Sequence, residues 1–511
     1  MKNQLKAGAL LSYLALFINS AISIIYTPIM LNLLGQSEYG LYSLANSAAG
    51  YIGVLNFGLG NAVIRYTSKY TALNDKESCS KIYGMFFIMY GILGIIAFIA
   101  GTVLTLNSNL LFSNSLSVDE LEKLKVLMGI VTLNLSLGIG FGLFSVIVLA
   151  HEKFIFQRLT VIVSSIVSPL VMLPLLLLGY RSITMAIFTA SITILSIIIN
   201  IYYCFSVLKI KIVFKKIEKS LLKEIIIFSS YIFLNLVINK LYDSTDQVIL
   251  GIYSGTIAIS IYTIGTTFTG YFSGFSSSIS NVFLSKVTGM VTKDAVDFEL
   301  SDLFIKIGRI QYLIISFALS GFVVFGQEFI LLWVGKKYLI SFIVALVVLI
   351  PMVVSLVQSM GGVILQAKNK QKFVTIINAS VAILNVPLSI IFAQLWGALG
   401  CAIGTAIAVT IGNIVVINVY YWRSININIP KFWMNICYMS LPLIISIFYG
   451  LTINKIIPAH SWVFLVIKII IFSIVFVVLM WFTAMNKYEK NLFFNPIKNL
   501  SQKVKIKDNI A

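Results

Sequence analysis

Long apolar segments alternate with short polar connections along almost the whole chain. Most of the segments are continuous hydrophobic sequence, bounded by Lys, Arg, Asn, Gly or Pro. A membrane-spanning helix needs about 20 apolar residues, whereas barrel strands would give alternating segments of about ten. The pattern therefore predicts about fourteen transmembrane helices, over residues 7–34, 38–64, 82–106, 122–149, 155–178, 182–206, 224–250, 256–284, 303–326, 338–366, 372–394, 397–421, 431–454 and 461–485.

The second predicted helix recurs in the later half of the chain. Sliding residues 34–66 onto residues 254–286 aligns five pairs, and a slightly smaller offset aligns more in the later helices. The pairs are Gly35/Gly255, Tyr42/Tyr262, Gly50/Gly270, Tyr51/Tyr271, Asn61/Asn281, Pro169/Pro387, Gly179/Gly397 and Asn200/Asn418. Recurrence at a fixed spacing indicates internal duplication. We expect an N-terminal six-helix lobe at 1–208, a basic linker at 209–223, a C-terminal six-helix lobe at 224–422, and two extra helices with a basic tail at 423–511.

The composition excludes a soluble globular protein. Apolar residues make up 59% of the chain and charged residues only 11%, against about 25% charged residues in soluble domains. The fold class is therefore an all-α polytopic membrane protein. The net charge of +19 would suggest nucleic acid as a partner of a soluble chain, but here it indicates membrane orientation, and no nucleic-acid partner is expected.

The positions of Lys and Arg define the orientation. If the fourteen helices alternate in direction, 29 of the 37 Lys and Arg residues fall on one side of the membrane and six on the other. Cytoplasmic loops carry the excess of basic residues, so both termini are predicted to be cytoplasmic, in a bacterial plasma membrane. An even number of helices per lobe inserts both lobes in the same direction. This arrangement predicts a pseudo-twofold axis along the membrane normal and a cavity shared by two parallel repeats.

Signals for catalysis and for cofactors are missing from the sequence. The four cysteines are scattered without a CxxC motif, the two histidines form no HExxH motif, and no Walker lysine motif occurs. The longest predicted outer connection, residues 107–120, is too short to hold the acceptor of a membrane glycosyltransferase or polymerase. We expect no enzyme activity, no metal and no cofactor.

The seventh predicted helix carries the most polar stripe of any span. Asn235, Asn239, Asp243 and Asp246 share one face, with Lys240 at its edge. At ~1.5 Å per residue, Lys240 lies about 16 Å from the outer end, near the membrane midplane. A charge at this depth costs roughly 3 kcal/mol, so these groups should face protein or water. They form either a cavity-facing site or a Lys240–Asp243 ion pair that only holds the lobe together.

Other polar residues could line the same cavity. Arg65 ends the second helix, Lys286 lies next to its repeat partner, and Arg309 follows nearby in the sequence. Such cations suit a diphosphate, although ordinary positive-inside anchoring explains them as well. The first two helices also carry the amides Asn19, Asn46, Asn56 and Asn61. Packing against a neighbouring helix is the expected role of any single one, but their concentration favours a path for sugars.

Several segments in their order resemble the polysaccharide repeat-unit flippases, the Wzx-like branch of the multidrug/oligosaccharidyl-lipid/polysaccharide (MOP) exporter superfamily. They are GLYSLANSAAGYIGVLNFGLGNAVIRYTSKY, STDQVILG, NVFLSKVT, EFILLWVGKKY and QAKNKQKF. The resemblance implies a MATE-like V of two six-helix bundles. It also implies flipping of an undecaprenyl-diphosphate-linked oligosaccharide, as for O-antigen or teichoic acid, from the inner to the outer leaflet by alternating access for cell-surface polysaccharide synthesis.

The resemblance also implies residue roles and partners. Arg65 and Lys240, with Lys286 and Arg309, would bind the diphosphate. The amides, including Asn235 and Asn239, would pass the sugars. Coupling to H⁺ or Na⁺ is also expected of such relatives, and position alone selects Asp243 or Asp246 as the coupling residue. Anionic lipids would contact the basic linker, and a polysaccharide polymerase and assembly proteins are further expected partners. The alternatives are a MATE-type drug/cation antiporter, a flippase for the peptidoglycan precursor lipid II, a membrane glycosyltransferase or a structural scaffold.

Overall fold

The described part of the chain is almost entirely helical. The computed structural model describes residues 2–214, 219–293, 296–457 and 461–492, and no strand occurs among them. The α-helices are α1 (Lys2–Leu34), α2 (Gln36–Gly50), α3 (Leu59–Ala72), α4 (Lys76–Leu106), α5 (Ser108–Phe112), α6 (Val118–Gly140), α7 (Gly142–Ala150), α8 (Phe154–Leu177), α9 (Ser182–Tyr202), α10 (Lys219–Tyr253), α11 (Thr256–Thr292), α12 (Asp297–Trp333), α13 (Leu339–Val357), α14 (Ser359–Ala367), α15 (Gln371–Val409), α16 (Ile417–Ser424), α17 (Ile429–Ile456) and α18 (Trp462–Leu479).

The prediction of an all-α polytopic membrane protein is confirmed. Among the described residues, eleven helical stretches are long and apolar enough to cross a membrane. One of them, Gln371–Ser424, is 54 residues long and holds two predicted crossings. The backbone leaves the helical conformation between these two crossings, at Trp396 and Gly397. The first and eighth predicted crossings correspond to α1 and α11.

Residues in the left-handed backbone region mark the same points in both repeats. Gly35 and Gly255, with φ of 81° and 82°, precede α2 and α11 and are partners in the sequence repeat. Three more pairs, at nearly the same separation along the chain, also share a positive φ: Glu152/Asn369, Gly179/Gly397 and Lys209/Asn426. Only glycine adopts this region without steric cost, so such matches reflect a shared chain path. The internal duplication seen in the sequence is therefore a duplication of structure.

Each repeat also contains an equivalent tertiary contact between two aromatic rings. Phe156 stacks on Tyr203 with ring centroids 3.9 Å apart, and Phe373 stacks on Tyr420 at 3.6 Å, with both partners displaced equally along the chain. Each repeat also interrupts a crossing at the same place, where a nine-residue helix, α7 or α14, follows the break. A stacked aromatic pair contributes about 0.5–1.5 kcal/mol beyond the burial of its surface. The same pair therefore stabilises the same helix packing in each repeat.

The contacts divide the chain into two compact units. One unit comprises residues 1–264 with 382–404, and the other comprises residues 265–381 with 405–511. Residues 224–264, which the sequence analysis assigns to the second lobe, thus pack with the first unit. The lobes at 1–208 and 224–422 follow the sequence repeat and stay a prediction. Part of the linker, residues 215–218, and the tail from 493 onward lie outside the described residues.

Small residues set the helix spacing inside the first unit. A β-carbon on Gly94 of α4 would stand 2.8 Å from the Cα atom of Gly140 on α6. Lipid tails are as apolar as Leu, so helices in a membrane associate through close packing rather than through the hydrophobic effect. A separate core that includes Leu59, Phe86 and Phe144 joins α3, α4 and α7.

Candidate functional site

The second crossing is broken near its middle. Helix α2 ends at Gly50, a 3₁₀ turn covers Tyr51–Asn56, and Phe57 and Gly58 take φ of 54° and 65° before α3 begins. Irregular backbone at membrane depth is tolerated only where it is buried in protein or lines a water-filled cavity. The equivalent crossing of the second repeat, α11, is continuous. The prediction of one continuous helix over residues 38–64 is therefore wrong at this point, and four glycines, at positions 50, 53, 58 and 60, are the signal for the break.

Helix α10 packs antiparallel along the whole of this broken crossing. Its contacts follow in order: Arg65 pairs with Glu224, Phe57 stacks on Phe233 at 4.6 Å, the Lys240 amine lies over Tyr51, and the Tyr51 and Thr245 hydroxyls are 2.6 Å apart. The polar stripe predicted on the seventh crossing therefore lies beside the break.

Lys240 reaches the break itself. Its Nζ atom lies 5.9 Å from the centroid of the Tyr51 ring, and a β-carbon on Gly50 would stand 2.5 Å from that nitrogen. A glycine at position 50 therefore makes room for the amine. The Tyr51 ring adds a cation–π contact worth about 0.5–2 kcal/mol. The structure thus places one of the predicted diphosphate ligands at the irregular backbone.

Arg65 lies on α3, towards the start of α10. Its guanidinium is 5.1 Å from the centroid of Phe228 and 3.7 Å from the Glu224 carboxylate. Both side chains of the pair are more than half exposed, at 54% and 57%. Exposed ion pairs contribute roughly 0–1 kcal/mol, so this contact exchanges easily for another anion. The planar guanidinium fork matches a phosphate group bidentately.

The six predicted sugar-path amides are exposed on the first unit: Asn19, Asn46, Asn56, Asn61, Asn235 and Asn239. Asn61 and Arg65 are four residues apart on α3, and Asn235 and Asn239 are four apart on α10, so each pair shares one side of its helix. Amides on membrane-spanning segments are unfavourable against lipid, because lipid offers them no hydrogen bond. Exposure therefore favours a wet surface here, and the sugar path stays a prediction.

Asp246 is buried among oxygen and amide groups. Its carboxylate accepts hydrogen bonds from the Ser389 hydroxyl at 2.7 Å, from the Asn385 amide at 3.2 Å and from the Tyr262 hydroxyl, and only 3% of the residue is exposed. The Cys401 thiol points to its backbone carbonyl. Carboxylate, hydroxyl and amide oxygens are ligands for hard cations, and a buried carboxylate also suits a proton.

The partners of Asp246 were not predicted from the sequence. Asn385 and Ser389 flank Pro387 within one crossing, and this polar pair around a span proline is the signal that could have identified them. The side chain of the other predicted coupling residue, Asp243, lies outside the described residues. Within the described part of the chain, no three His, Cys, Asp or Glu side chains form a metal-binding group.

Two further predicted cations lie in the second unit. Lys286 is exposed on α11, and its role stays a prediction. Arg309 is 5% exposed and donates to Glu489, to Asn435 at 3.1 Å and to the Ala484 carbonyl at 2.8 Å. These bonds fasten the end of the last crossing to α12 and use the donors that a diphosphate would need. In this conformation Arg309 makes contacts that hold helices together, and its predicted role as a diphosphate ligand stays a prediction.

Polar contacts close the other end of the broken crossing. The hydroxyls of Ser43 and Thr263 are 2.9 Å apart, and Glu120 accepts from Ser37 at 2.6 Å and from Thr256 at 2.9 Å. A β-carbon on Gly40 would overlap the Thr256 carbonyl oxygen. Helix α2 therefore seals tightly against the turn between α10 and α11.

A broken crossing, exposed amides and cations beside it, and a buried carboxylate occur here in an all-α membrane protein of two repeats. The chain shares this fold with three solved structures. The lipid II flippase MurJ in its inward closed conformation gives a TM-score of 0.72 at 20% identity over 96% of this chain and 99% of that one.

Two more distant structures share the fold. An inward-facing multidrug resistance MATE family transporter gives a TM-score of 0.58 at 15% identity over 80% of this chain and 99% of that one. A MOP superfamily transporter from Pyrococcus furiosus gives 0.52 at 14% identity over 84% and 94%. None of the curated proteins matches the chain in sequence.

The family follows from the sequence itself. Residues 5–284 match the family described as "Polysaccharide biosynthesis protein". The chain belongs to this family, because the match covers more than half of its length.

Proposed function

We propose that this protein is a flippase for lipid-linked oligosaccharides. It moves an undecaprenyl-diphosphate-linked repeat unit from the inner to the outer leaflet of a bacterial plasma membrane by alternating access. The observation that carries the proposal is the broken second crossing, with Lys240 at its irregular backbone and exposed amides beside it. Amides suit the hydroxyl groups of sugars, and the cations suit the diphosphate.

In this proposal the diphosphate of the substrate binds Arg65 and Lys240 one after the other. Arg65 of α3 contacts Phe228 of α10. Lys240 lies twelve residues further along α10 than Phe228, which at ~1.5 Å per residue is about 18 Å. One diphosphate is too small to bridge this distance. It therefore contacts Arg65 first and Lys240 near the membrane midplane later, so that Arg65 governs capture and Lys240 governs passage.

Asp246 supplies the coupling site for H⁺ or Na⁺ in this proposal. Its hydrogen-bond partners come from α11 and α15, so occupancy of the carboxylate would change how these two helices are held to α10. A ligand shifts a conformational equilibrium only through such differential contacts. The site therefore links ion binding to helix position.

Complementation tests the function. The chain is expressed in a bacterium that lacks its own repeat-unit flippase, and surface polysaccharide is stained. The Arg65→Ala and Lys240→Ala variants are compared with Lys306→Ala, which removes an exposed cation that pairs with Asp302 on its own helix and lies over the Tyr488 ring. We expect polysaccharide to return with the wild type and Lys306→Ala, and to fall at least ~10-fold with the other two, the equivalent of about 1.4 kcal/mol.

Each outcome decides between named functions. Restored polysaccharide that neither Arg65→Ala nor Lys240→Ala reduces, at equal membrane levels, would refute successive binding to the two cations but keep the flippase. No restoration in hosts with several different repeat units, together with acquired resistance to cationic drugs, would replace the flippase by a MATE-type antiporter. Rescue only of a strain depleted of its lipid II flippase would identify lipid II as the substrate.

A further inference from the structure

A cavity of ≈ 730 Å³ opens at one end of the first unit, at the end of α3 that lies away from the break in the second crossing. It lies where the α3–α4 turn, the α7–α8 turn and the segment after α9 meet. Three lysines line it, Lys76, Lys209 and Lys211, together with half-buried His151. The remaining wall is rich in hydroxyl groups, from Tyr70, Thr71, Ser80 and Tyr83.

The segment after α9 is held in a fixed position beside this cavity. Leu208, Ile210 and Ile212 alternate towards the hydrophobic core, which leaves Lys209 and Lys211 on the exposed side. The Val213 amide donates to the Ser80 carbonyl at 3.1 Å. A β-carbon on Gly84 would overlap the Val213 carbonyl oxygen, so glycine permits this close approach. The two lysines are therefore presented by an anchored backbone.

The acids that line the cavity are engaged by their own helix. Asp75 caps α4 by accepting from the Ser78 amide at 2.9 Å, and the hydrogen bonds from Ser78 hold the pKa of the Asp75 carboxyl below its ordinary value. Glu77 pairs with Lys81 at 2.8 Å. The lysines across the cavity thus give the wall an excess of positive charge.

In the second repeat, hydrogen bonds between side chains occupy the position that corresponds to this cavity. There Asp297 accepts from Lys368 at 3.0 Å and from Asn426 at 2.9 Å, which ties the start of α12 to the α14–α15 turn and to the segment after α16. At the offsets of the repeat, the corresponding residues of the first repeat are Glu77, His151 and Lys209. The first repeat has the cavity among these three positions.

We propose that this cavity binds a phosphate-bearing anion. The phosphate group, from an acidic phospholipid headgroup or from a soluble phosphate, bridges Lys76 on α4 to Lys209 and Lys211 on the anchored segment. The anion thereby joins the start of α4 to the segment after α9, as the Asp297 carboxylate joins the start of α12 to the segment after α16. The hydroxyl groups of the wall complete the anion's hydrogen bonds.

Cys79 provides a reporter inside the cavity. It lines the wall and is partly accessible, whereas Cys204 and Cys401 are buried and Cys437 is exposed. In a Cys437→Ser background, the full chain is placed in phosphatidylcholine nanodiscs, and alkylation of Cys79 is followed by mass spectrometry. One arm adds inorganic phosphate, with sodium chloride of equal ionic strength as the reference. The other arm replaces part of the phosphatidylcholine by phosphatidylglycerol. The thermal unfolding midpoint is measured on the same samples.

We expect alkylation to slow by ~10-fold at a phosphate concentration ten times the Kd, and the unfolding midpoint to rise in parallel. Protection in the phosphatidylglycerol arm alone identifies a lipid headgroup, and protection in the phosphate arm identifies a soluble ligand. A double variant, His151→Lys with Lys209→Asn, installs the residues of the second repeat at unchanged formal charge. It should lose both effects. Lys223→Gln removes an exposed lysine outside the cavity and should keep them.

Two results would overturn the inference. The first is that neither phosphate nor phosphatidylglycerol changes the unfolding midpoint or the alkylation rate relative to the chloride and phosphatidylcholine references. The second is an equal response of the wild type and the charge-neutral double variant, which would show a general surface effect. Neither readout involves transport, so the inference stands or falls independently of the proposed flippase function.

Discussion

The amine of Lys240 lies against Gly50 at the end of α2, where a β-carbon would stand 2.5 Å from the nitrogen. We predict that Gly50→Ala displaces the amine from the break in the crossing and reduces transport, though less than Lys240→Ala, because the displaced side chain keeps its charge. The matched control is Gly53→Ala in the same broken stretch, where a β-carbon meets nothing within 4 Å. Surface polysaccharide at equal protein levels is the measurement. Equal activity of the two glycine-to-alanine variants would show that the position of the amine is unimportant.

The buried carboxylate gives a second prediction. If Asp246 binds Na⁺, sodium should raise the thermal unfolding midpoint of the purified protein relative to choline, by up to about 2.7 kcal/mol in stability at 100 times the Kd. Asp246→Asn should abolish the rise, whereas Asp302→Asn, at a half-exposed carboxylate, should keep it. A proton site would appear instead as a pH dependence of the midpoint that Asp246→Asn removes. Retention of both responses in that variant would exclude the site.

The fold was predictable because hydrophobic length and repeated glycines are local signals. Gly35 and Gly255 are visible in the sequence as a pair, and the structure gives them the same left-handed φ. The prediction that Lys240 needs a protein or aqueous environment rested only on the cost of a charge at midspan. The break beside it was less visible, because the equivalent stretch of the second repeat contains Gly270 and Gly274 and is still helical.

The partners of each charged residue were not predictable, because they come from distant parts of the chain. Arg309 and Glu489 are 180 residues apart, and Asp246 and Ser389 are 143 apart. Arg65 and Arg309 look alike in sequence, as cations near the end of an apolar run. Only tertiary packing distinguishes them, since one side chain is half exposed and the other is buried.

The seal at the other end of α2 gives a third prediction. A β-carbon on Gly40 would overlap the backbone of Thr256, which cannot move aside as a side chain can. Gly40→Ala should therefore favour conformations in which α2 separates from the α10–α11 turn. A Ser43→Cys probe, at a position that is 7% exposed, should be alkylated faster in that variant once Cys79 and Cys437 are replaced by serine.

The control for this seal is Gly129→Ala on α6, where a β-carbon has open space. It should leave the labelling of Ser43→Cys unchanged. Labelling as slow in Gly40→Ala as in Gly129→Ala would mean that α2 adjusts without opening, and the contact with Thr256 would then be passive packing.

The ion pair between Arg309 and Glu489 gives the last prediction, on stability. The two side chains are only 7% and 3% exposed, and the guanidinium donates to both carboxylate oxygens. Removal of one partner of a buried pair typically costs about 3–5 kcal/mol, because the other charge stays buried and uncompensated. Arg309→Met should therefore lower the unfolding midpoint in detergent sharply. The exposed Lys306→Met, whose pair contributes about 0–1 kcal/mol, should change it little. The double variant Arg309→Met with Glu489→Met removes both charges and should recover much of the loss. If Arg309→Met instead kept a wild-type midpoint and lost transport, the result would support the predicted role of Arg309 as a substrate-binding cation.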